Sequence, residues 1–207
     1  MCRLFFAQRF CMHLIKPLVL ASRSPRRIQL LRQIGLDPRV IPCDVNEDFD
    51  LSLPAVENAV TLALRKAREV ARTINGAIVI GADTIVTLDG RMMGKPEGPD
   101  EAVRMLEMLS GNTHIVHTGY ALVDRPSDAS VTGVEETLVT FRDIPRREIE
   151  EYVAGGSPMD KAGAYGIQDD YAAVFVTRIE GCFYNVVGLP LSSLYSALQE
   201  FQSTLTR

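Results

Sequence analysis

One segment limits the fold more than any other. Ala77-Ile78-Val79-Ile80-Gly81-Ala82 is apolar at every position and ends in Asp83. A strand with one wet face alternates apolar and polar residues. A strand with no polar face has to be covered on both sides, as in a parallel or mixed sheet between helices. The neighbouring segments supply the covers. A helix is predicted from Pro25, with Ile28, Leu31 and Ile34 on one face and Gly35 as its stop. A longer one is predicted from Pro54 to Ile74, with Val56, Val60, Ala63, Ala67 and Val70 on its apolar face, closed by Asn75-Gly76.

Further elements follow the same rules. Pro17-Leu18-Val19-Leu20-Ala21 reads as a buried strand and Val40-Ile41 as a weak one. Ile85–Leu88 and Arg91–Gly94 flank Asp89-Gly90, a hairpin signal. A helix over Pro99–Leu109 has Pro at its start and Gly111 past its end. His114–Val123, Val134–Phe141 and Val174–Ile179 read as strands, and Ile144–Val153 and Pro190–Phe201 as helices. The fold class is therefore α/β, with a mixed twisted sheet and flanking helices. At 207 residues the chain suits one domain, residues 17–207, preceded by an extension over residues 1–16. No run approaches the ~18 apolar residues of a membrane span.

The formal net charge of −4 conceals a division along the chain. Residues 1–36 hold seven bases and no acid, while the remainder carries 15 bases against 26 acids. The bases are Arg3, Arg9, Lys16, Arg23, Arg26, Arg27 and Arg32; the acids begin at Asp37 and continue through Asp44, Glu47, Asp48 and Asp50. Such a front suggests a targeting arm, nucleic-acid binding, or an anion site beside metal ligands, and the acidic whole makes nucleic acid the weakest of these. The acid-free residues 1–16 are partly amphipathic, which admits organelle targeting; their shortness and poverty in serine favour a frayed extension of a cytoplasmic protein. Cys2, Cys11, Cys43 and Cys182 form neither CxxC nor a zinc spacing and read as reduced thiols. His114 and His117, three apart in a predicted strand, point to opposite faces and make a poor metal pair.

Chemistry concentrates in a few short segments. In Ala21-Ser22-Arg23-Ser24-Pro25-Arg26-Arg27 a strand gives way to a helix, with Ser24 at the N-cap, Pro25 at the first helical position and arginines in the first turn. Cations oppose the helix dipole there unless an anion shares the site. Free N–H groups, hydroxyls and guanidiniums describe a phosphate cradle, the alternative being a solvated basic helix start. Asp83 falls where ligands bind in open α/β sheets, and is either a capping acid or a catalytic group. With Glu47 it offers oxygen ligands to a Mg²⁺-type ion. Lys66 and Lys95 are phosphate contacts or surface charge. Asp160-Lys161-Ala162-Gly163-Ala164-Tyr165-Gly166-Ile167-Gln168 joins small residues to a ring and an amide, as a base-recognition loop or a tight turn does.

Taken in order, Ser22-Arg23-Ser24-Pro25-Arg26-Arg27, Leu62-Ala63 with Lys66-Ala67, Gly81-Ala82-Asp83-Thr84, Gly94-Lys95-Pro96, Ser110-Gly111-x-x-His114, Glu135-x-Thr137-x-Val139-x-Phe141, Asp160–Gln168 and Val187-Gly188-Leu189-Pro190 resemble the Maf family of nucleotide pyrophosphatases. The resemblance runs from Pro17 to Phe201 and gains its specificity from the ordered set. It implies two lobes around a cleft, a fold related to the inosine triphosphate pyrophosphatases. It also implies hydrolysis of a nucleoside triphosphate to monophosphate and pyrophosphate with Mg²⁺ or Mn²⁺. By position, Asp83 resembles the family's proton acceptor and Glu47 its acidic partner near the metal. Ser22, Arg27, Lys66 and Lys95 resemble triphosphate contacts, and Ser24 and Lys161 fall in the same substrate-binding motifs. Arg26, Thr84 and Gln168 resemble the subgroup acting on dTTP, UTP and modified pyrimidine relatives. A 7-methyl-GTP specificity, or a nucleotide-binding division regulator with weak catalysis, is the rival expectation. Departures lie at Asp169-Asp170, where glycine is common, and at Arg65 and Thr61. A symmetric homodimer is the default assembly.

Overall fold

The apolar run does not stop at Asp83. In a computed structural model, which describes residues 12–168 and 171–206, it continues as one eleven-residue strand, Ile78–Leu88. The strands are β1 (Leu18–Ala21), β2 (Arg39–Val40), β3 (Ile78–Leu88), β4 (Arg91–Met93), β5 (Thr113–Asp124), β6 (Ser130–Phe141) and β7 (Val176–Glu180). The helices are α1 (Pro25–Gln33), α2 (Ala55–Ala71), α3 (Pro99–Leu109), α4 (Arg146–Ala154), α5 (Phe183–Val187) and α6 (Leu191–Leu205), with 3-10 turns at Ser157–Asp160, Ala162–Ala164 and Tyr171–Phe175.

All seven strands form one mixed sheet in the order β2-β1-β3-β5-β6-β7, with β4 on β3. β1 is parallel to both β2 and β3, whereas the pairs β3–β5, β5–β6 and β6–β7 are antiparallel. Both faces of the first part of β3 are covered, as its composition requires. Ile78 and Ile80 join Leu20, Leu31, Leu122, Leu194 and Leu198 beneath α1 and α6. Val79 joins Val19, Ala63, Ala67 and Ala121 beneath α2. A separate core around Val86, Leu106, Phe141, Ile149 and Phe175 lies beneath α3 and α4. The long strands β3, β5 and β6 carry these two ends of the molecule as two lobes.

The strand partners of β3 explain the gap between the lobes. On one edge its residues 78–81 pair with β1 and 86–88 with β4. No strand among the described residues pairs with residues 82–85 on that edge, so Asp83 and Thr84 stand where the sheet opens. The expected carboxyl end is thus an interior position, and the strand that ends there is β1. The order β2-β1-β3 also makes the end of β1 a topological switch point, because the chain leaves β1 on one side and returns on the other.

Several boundaries differ from expectation for local reasons. Tyr171–Phe175 is a 3-10 turn that buries Ala172 and Phe175, so β7 starts at Val176 and not at Val174. The turn joining β3 to β4 holds Asp89 and Gly90 at φ 49° and 77°, as a tight hairpin needs. Residues 12–16 are not frayed. Met12 and Leu14 pack against the α6 core, the Ile15 N–H donates to Gln202 Oε1 at 2.9 Å, and Lys16 pairs with buried Asp124 at 2.5 Å. The targeting expectation rests mainly on residues 1–11 and the departure at Asp169-Asp170 on those two; both segments, like Cys2 and Cys11, lie outside the described residues. No helix among the described residues is long and apolar enough to cross a membrane.

Candidate active site

A cleft of about 570 Å³ opens beside the unpaired stretch of β3. Ser22, Ser24, Arg26, Arg27, Glu47, Lys66, Asp83, Thr84, Lys95, Lys161 and Gln168 all line it. Residues separated by as much as 146 positions in sequence therefore meet on one surface. Its size is that of a small-molecule site.

One wall is the start of α1. Ser24 is its N-cap in extended conformation (φ −71°, ψ 115°) and Pro25 its first residue, and no side chain among the described residues caps the helix. Ser22 Oγ accepts the Ser24 N–H at 3.1 Å, which turns the chain as it leaves β1. The first-turn N–H groups and the positive end of the helix dipole thus face the cleft. Arg27 is locked from three sides. Nε donates to the Gly188 carbonyl at 2.8 Å, one Nη to Ser22 Oγ at 3.4 Å and the other to Thr84 Oγ1 at 3.1 Å. Gly188 has φ 118°, a conformation that excludes other residues and presents its carbonyl to Arg27. Burial holds the Arg27 guanidinium below its usual range. An anion in the cleft would offset that cost. Arg32, by contrast, pairs with Asp37 on the surface and takes no part.

The second wall is a chain of alternating charges. Lys66 is 5% exposed, and its Nζ lies 2.5 Å from Asp83 Oδ1 and 2.5 Å from Glu47 Oε1. Lys95 Nζ lies 2.8 Å from Glu47 Oε2. Sheet packing sets this arrangement. A Cβ on Gly81 would sit 2.2 Å from the Ala63 carbonyl, so the glycine lets α2 touch β3, and Lys66 then projects onto Asp83 two residues along the strand. Burial opposes ionisation of Glu47, yet Lys66 and Lys95 hold its carboxyl down at about 2.

The sign of the Glu47 effect gives a first prediction. A depressed native pKa stabilises the fold above the ordinary carboxyl range and loses that contribution as pH falls from about 4.5 through about 2. Urea unfolding of Glu47→Gln across this interval should show a shallower acid loss than the wild type. An unchanged slope would remove Glu47 from the linkage.

The third wall is the segment 160–168. Arg26 reaches across from α1 to Asp160, with Nη1–Oδ2 at 3.0 Å. Lys161 pairs with Asp160 at 2.9 Å and binds the Ser157 carbonyl, so it faces its own turn as well as the cleft. The Gly163 N–H donates to the Gly94 carbonyl at 3.0 Å, tying this wall to the strand beside Lys95. Tyr165 shares a 2.8 Å hydrogen bond with His114 Nε2 inside an aromatic cluster with Phe141. Burial lowers His114 to about 4, which leaves it neutral. His117 faces the opposite side of β5 and pairs with Thr87.

Among the described residues no group of three or more His, Cys, Asp and Glu has the arrangement of a metal cage. Glu47 and Asp83 are the two carboxylates in reach of one another through Lys66. This set suits an ion of the Mg²⁺ type, which keeps several waters and takes one or two carboxylates together with substrate phosphates.

Comparison with known proteins places the chain among relatives over nearly its whole length. The chain is 46% identical over 187 residues to a dTTP/UTP pyrophosphatase of Chlorobium luteolum, covering 88% of this chain and 96% of that one. It is 49% identical over 191 residues to the protein of that name from Acetivibrio thermocellus, covering 89% and 94%. A third protein of that name, from Salinibacter ruber, is 49% identical over 185 residues, covering 88% and 90%. The family model described as Maf-like protein matches residues 17–201, nearly all of the domain that encloses the cleft, and the chain belongs to the Maf-like family.

Proposed function

We propose that the protein is a nucleoside triphosphate pyrophosphatase that hydrolyses dTTP and UTP to the monophosphate and pyrophosphate. The observation that carries this reading is the meeting of an uncapped helix start, Arg27, Lys66 and Lys95 with the Asp83 and Glu47 carboxylates in one cleft. The relatives named above point to the same substrates.

A triphosphate brings about four negative charges, and further charge builds on the pyrophosphate as the α–β anhydride breaks. Preorganised cations aimed at that charge lower the barrier without reorganising during the reaction. The first turn of α1 and the fixed Arg27 fork receive one end of the phosphate chain, and Lys95, paired with Glu47, lines the same cleft. Lys66 holds Asp83 through Oδ1, so the carboxylate is oriented when it takes a proton from the attacking water. Glu47 keeps Lys66 and Lys95 in place. We assign Glu47 and Asp83 as the residues that would hold a divalent cation with the substrate; such an ion supplies further charge neutralisation at the phosphates. Arg26, Thr84 and Gln168 line the remaining part of the cleft and are assigned to the nucleobase and sugar.

The test is a panel of nucleoside triphosphates with Mg²⁺ or Mn²⁺, with phosphate products identified. Pyrophosphate release from dTTP and UTP, lost on adding a chelator and regained with the cation, is the expected result. Orthophosphate release would overturn the reaction. Preference for 7-methyl-GTP would overturn the substrate, and chelator-resistant turnover the metal.

A further inference from the structure

The sheet ends in two edges of different character. β2 is two residues long and sits between Pro38 and Pro42, which have no N–H to offer an incoming strand. β7 is five residues long, Val176-Thr177-Arg178-Ile179-Glu180, with neither proline nor glycine, and among the described residues no strand pairs with its outer side. Such an edge is a template for another strand unless something covers it.

The main-chain groups that face outward follow from the register. Phe141 donates its N–H to the Asn112 carbonyl at 3.0 Å, on the β5 side of β6. Main-chain groups alternate along a strand, so Thr140 and Leu138 turn theirs towards β7. Arg178 and Glu180 stand opposite them. The N–H and C=O of Ile179, between those two, therefore point out of the sheet edge. The side chains of Arg178 and Glu180 share one face, with Nε 3.2 Å from Oε1, and both residues are exposed.

Exposed apolar groups gather at the same edge. Among the described residues the exposed large hydrophobics are Ile15, Leu51, Leu138, Tyr171, Val174 and Phe183. Tyr171 and Val174 lie just before β7, Phe183 just after it, and Leu138 beside Glu180 on β6.

These features fit a second copy of the chain. An antiparallel pair with its twofold axis at Ile179 exchanges both outward main-chain hydrogen bonds of that residue. It sets Arg178 opposite Glu180 of the partner subunit and Glu180 opposite Arg178 of the partner subunit, two cross-strand pairs of opposite charge. The same register brings Tyr171 and Val174 towards Phe183 of the partner subunit, at both ends. An axis at Arg178 or at Glu180 would set like charges face to face and would call on main-chain groups that β6 already uses. We propose that two copies of the chain associate through their β7 edges about an axis at Ile179, as a closed symmetric dimer whose register is set by Arg178 and Glu180. The proposal goes beyond the pyrophosphatase reading and does not depend on it.

Sedimentation equilibrium of the full chain at micromolar concentration should give twice the chain mass. Arg178→Glu and Glu180→Arg each turn both cross-strand pairs from attraction to repulsion, and the dissociation constant of either variant should rise about tenfold. Mixed in equal amounts, the two variants should form a heterodimer, because the acidic edge of one meets the basic edge of the other. The chain carrying both exchanges should dimerise as the wild type does. Circular dichroism checks that each variant is folded, and Arg178→Ala and Glu180→Ala, which only lose the attraction, serve if a reversed charge disturbs folding. A monomeric wild type overturns the proposal. So does a dimer that the folded charge variants retain unchanged, or a failure of the two reversed variants to associate on mixing.

Discussion

Asp83→Asn should lower kcat on UTP by about 10²–10⁴-fold while KM changes little, because the substitution removes a proton acceptor and leaves the cations in place. The fold should survive. Lys66 keeps its 2.5 Å pair with Glu47 in the variant, so no buried cation is orphaned, and an amide fits the volume of the carboxylate. Thermal unfolding should therefore stay within a few degrees of the wild type, about 1 kcal/mol for a chain of this length. Steady-state kinetics and a melting curve on the same preparation check both parts. Near-normal turnover would deny Asp83 its role, and a collapse of stability would make the lost activity uninformative about chemistry.

The position of Asp83 was legible because composition and topology say the same thing there. Six apolar residues need two covered faces, and an acid at the end of such a run is costly unless it has work or a partner. The continuation of the strand was hidden for a related reason. Asp83 and Thr84 interrupt the apolar pattern, so Ile85–Leu88 reads as a separate hairpin strand. Each of the two is paired in three dimensions, Asp83 with Lys66 and Thr84 with Arg27 and Thr118, and strand geometry continues through them at little cost. A period-based reading sees polarity and does not see its compensation.

The same limit explains what sequence missed in the site. Arg26 and Asp160 are 134 positions apart, and nothing near either residue announces the other. Thr118 and Asn185 carry no motif of their own, yet they stand behind Thr84 in the fold. The short helix Phe183–Val187, which presents the Asn185 and Gly188 carbonyls, has too few residues to show a helical period, and only the glycine after it hints at an end. By contrast, Ser22–Arg27 stands out in the sequence because it breaks a local rule: arginines stand where a helix start prefers acids. Local conflicts of this kind are readable in a sequence, and long-range pairings are not.

Lys66→Met should produce the largest combined loss, in stability as well as turnover. Among the described residues Lys66 is the one side chain that touches both carboxylates, each at 2.5 Å, and methionine matches its stem without its charge. The variant leaves Asp83, 7% exposed, facing Glu47 with Lys95 on the far side only. Breaking a buried pair in this way costs about 3–5 kcal/mol, since the remaining charge is uncompensated. Loss of a preorganised cation beside the reacting phosphates should cost a further 10²–10³-fold in kcat. Two facing carboxylates relieve their repulsion by sharing a proton. Lys66→Met should therefore close part of its stability deficit as pH is lowered from 8 to 5, an interval above the range in which Glu47 titrates in the wild type. Urea unfolding at pH 5 and pH 8 reads the difference. A deficit that is equal at both pH values would mean that Lys66 contributes packing alone, and that the charge chain through Glu47 and Asp83 is not what the cleft is built around.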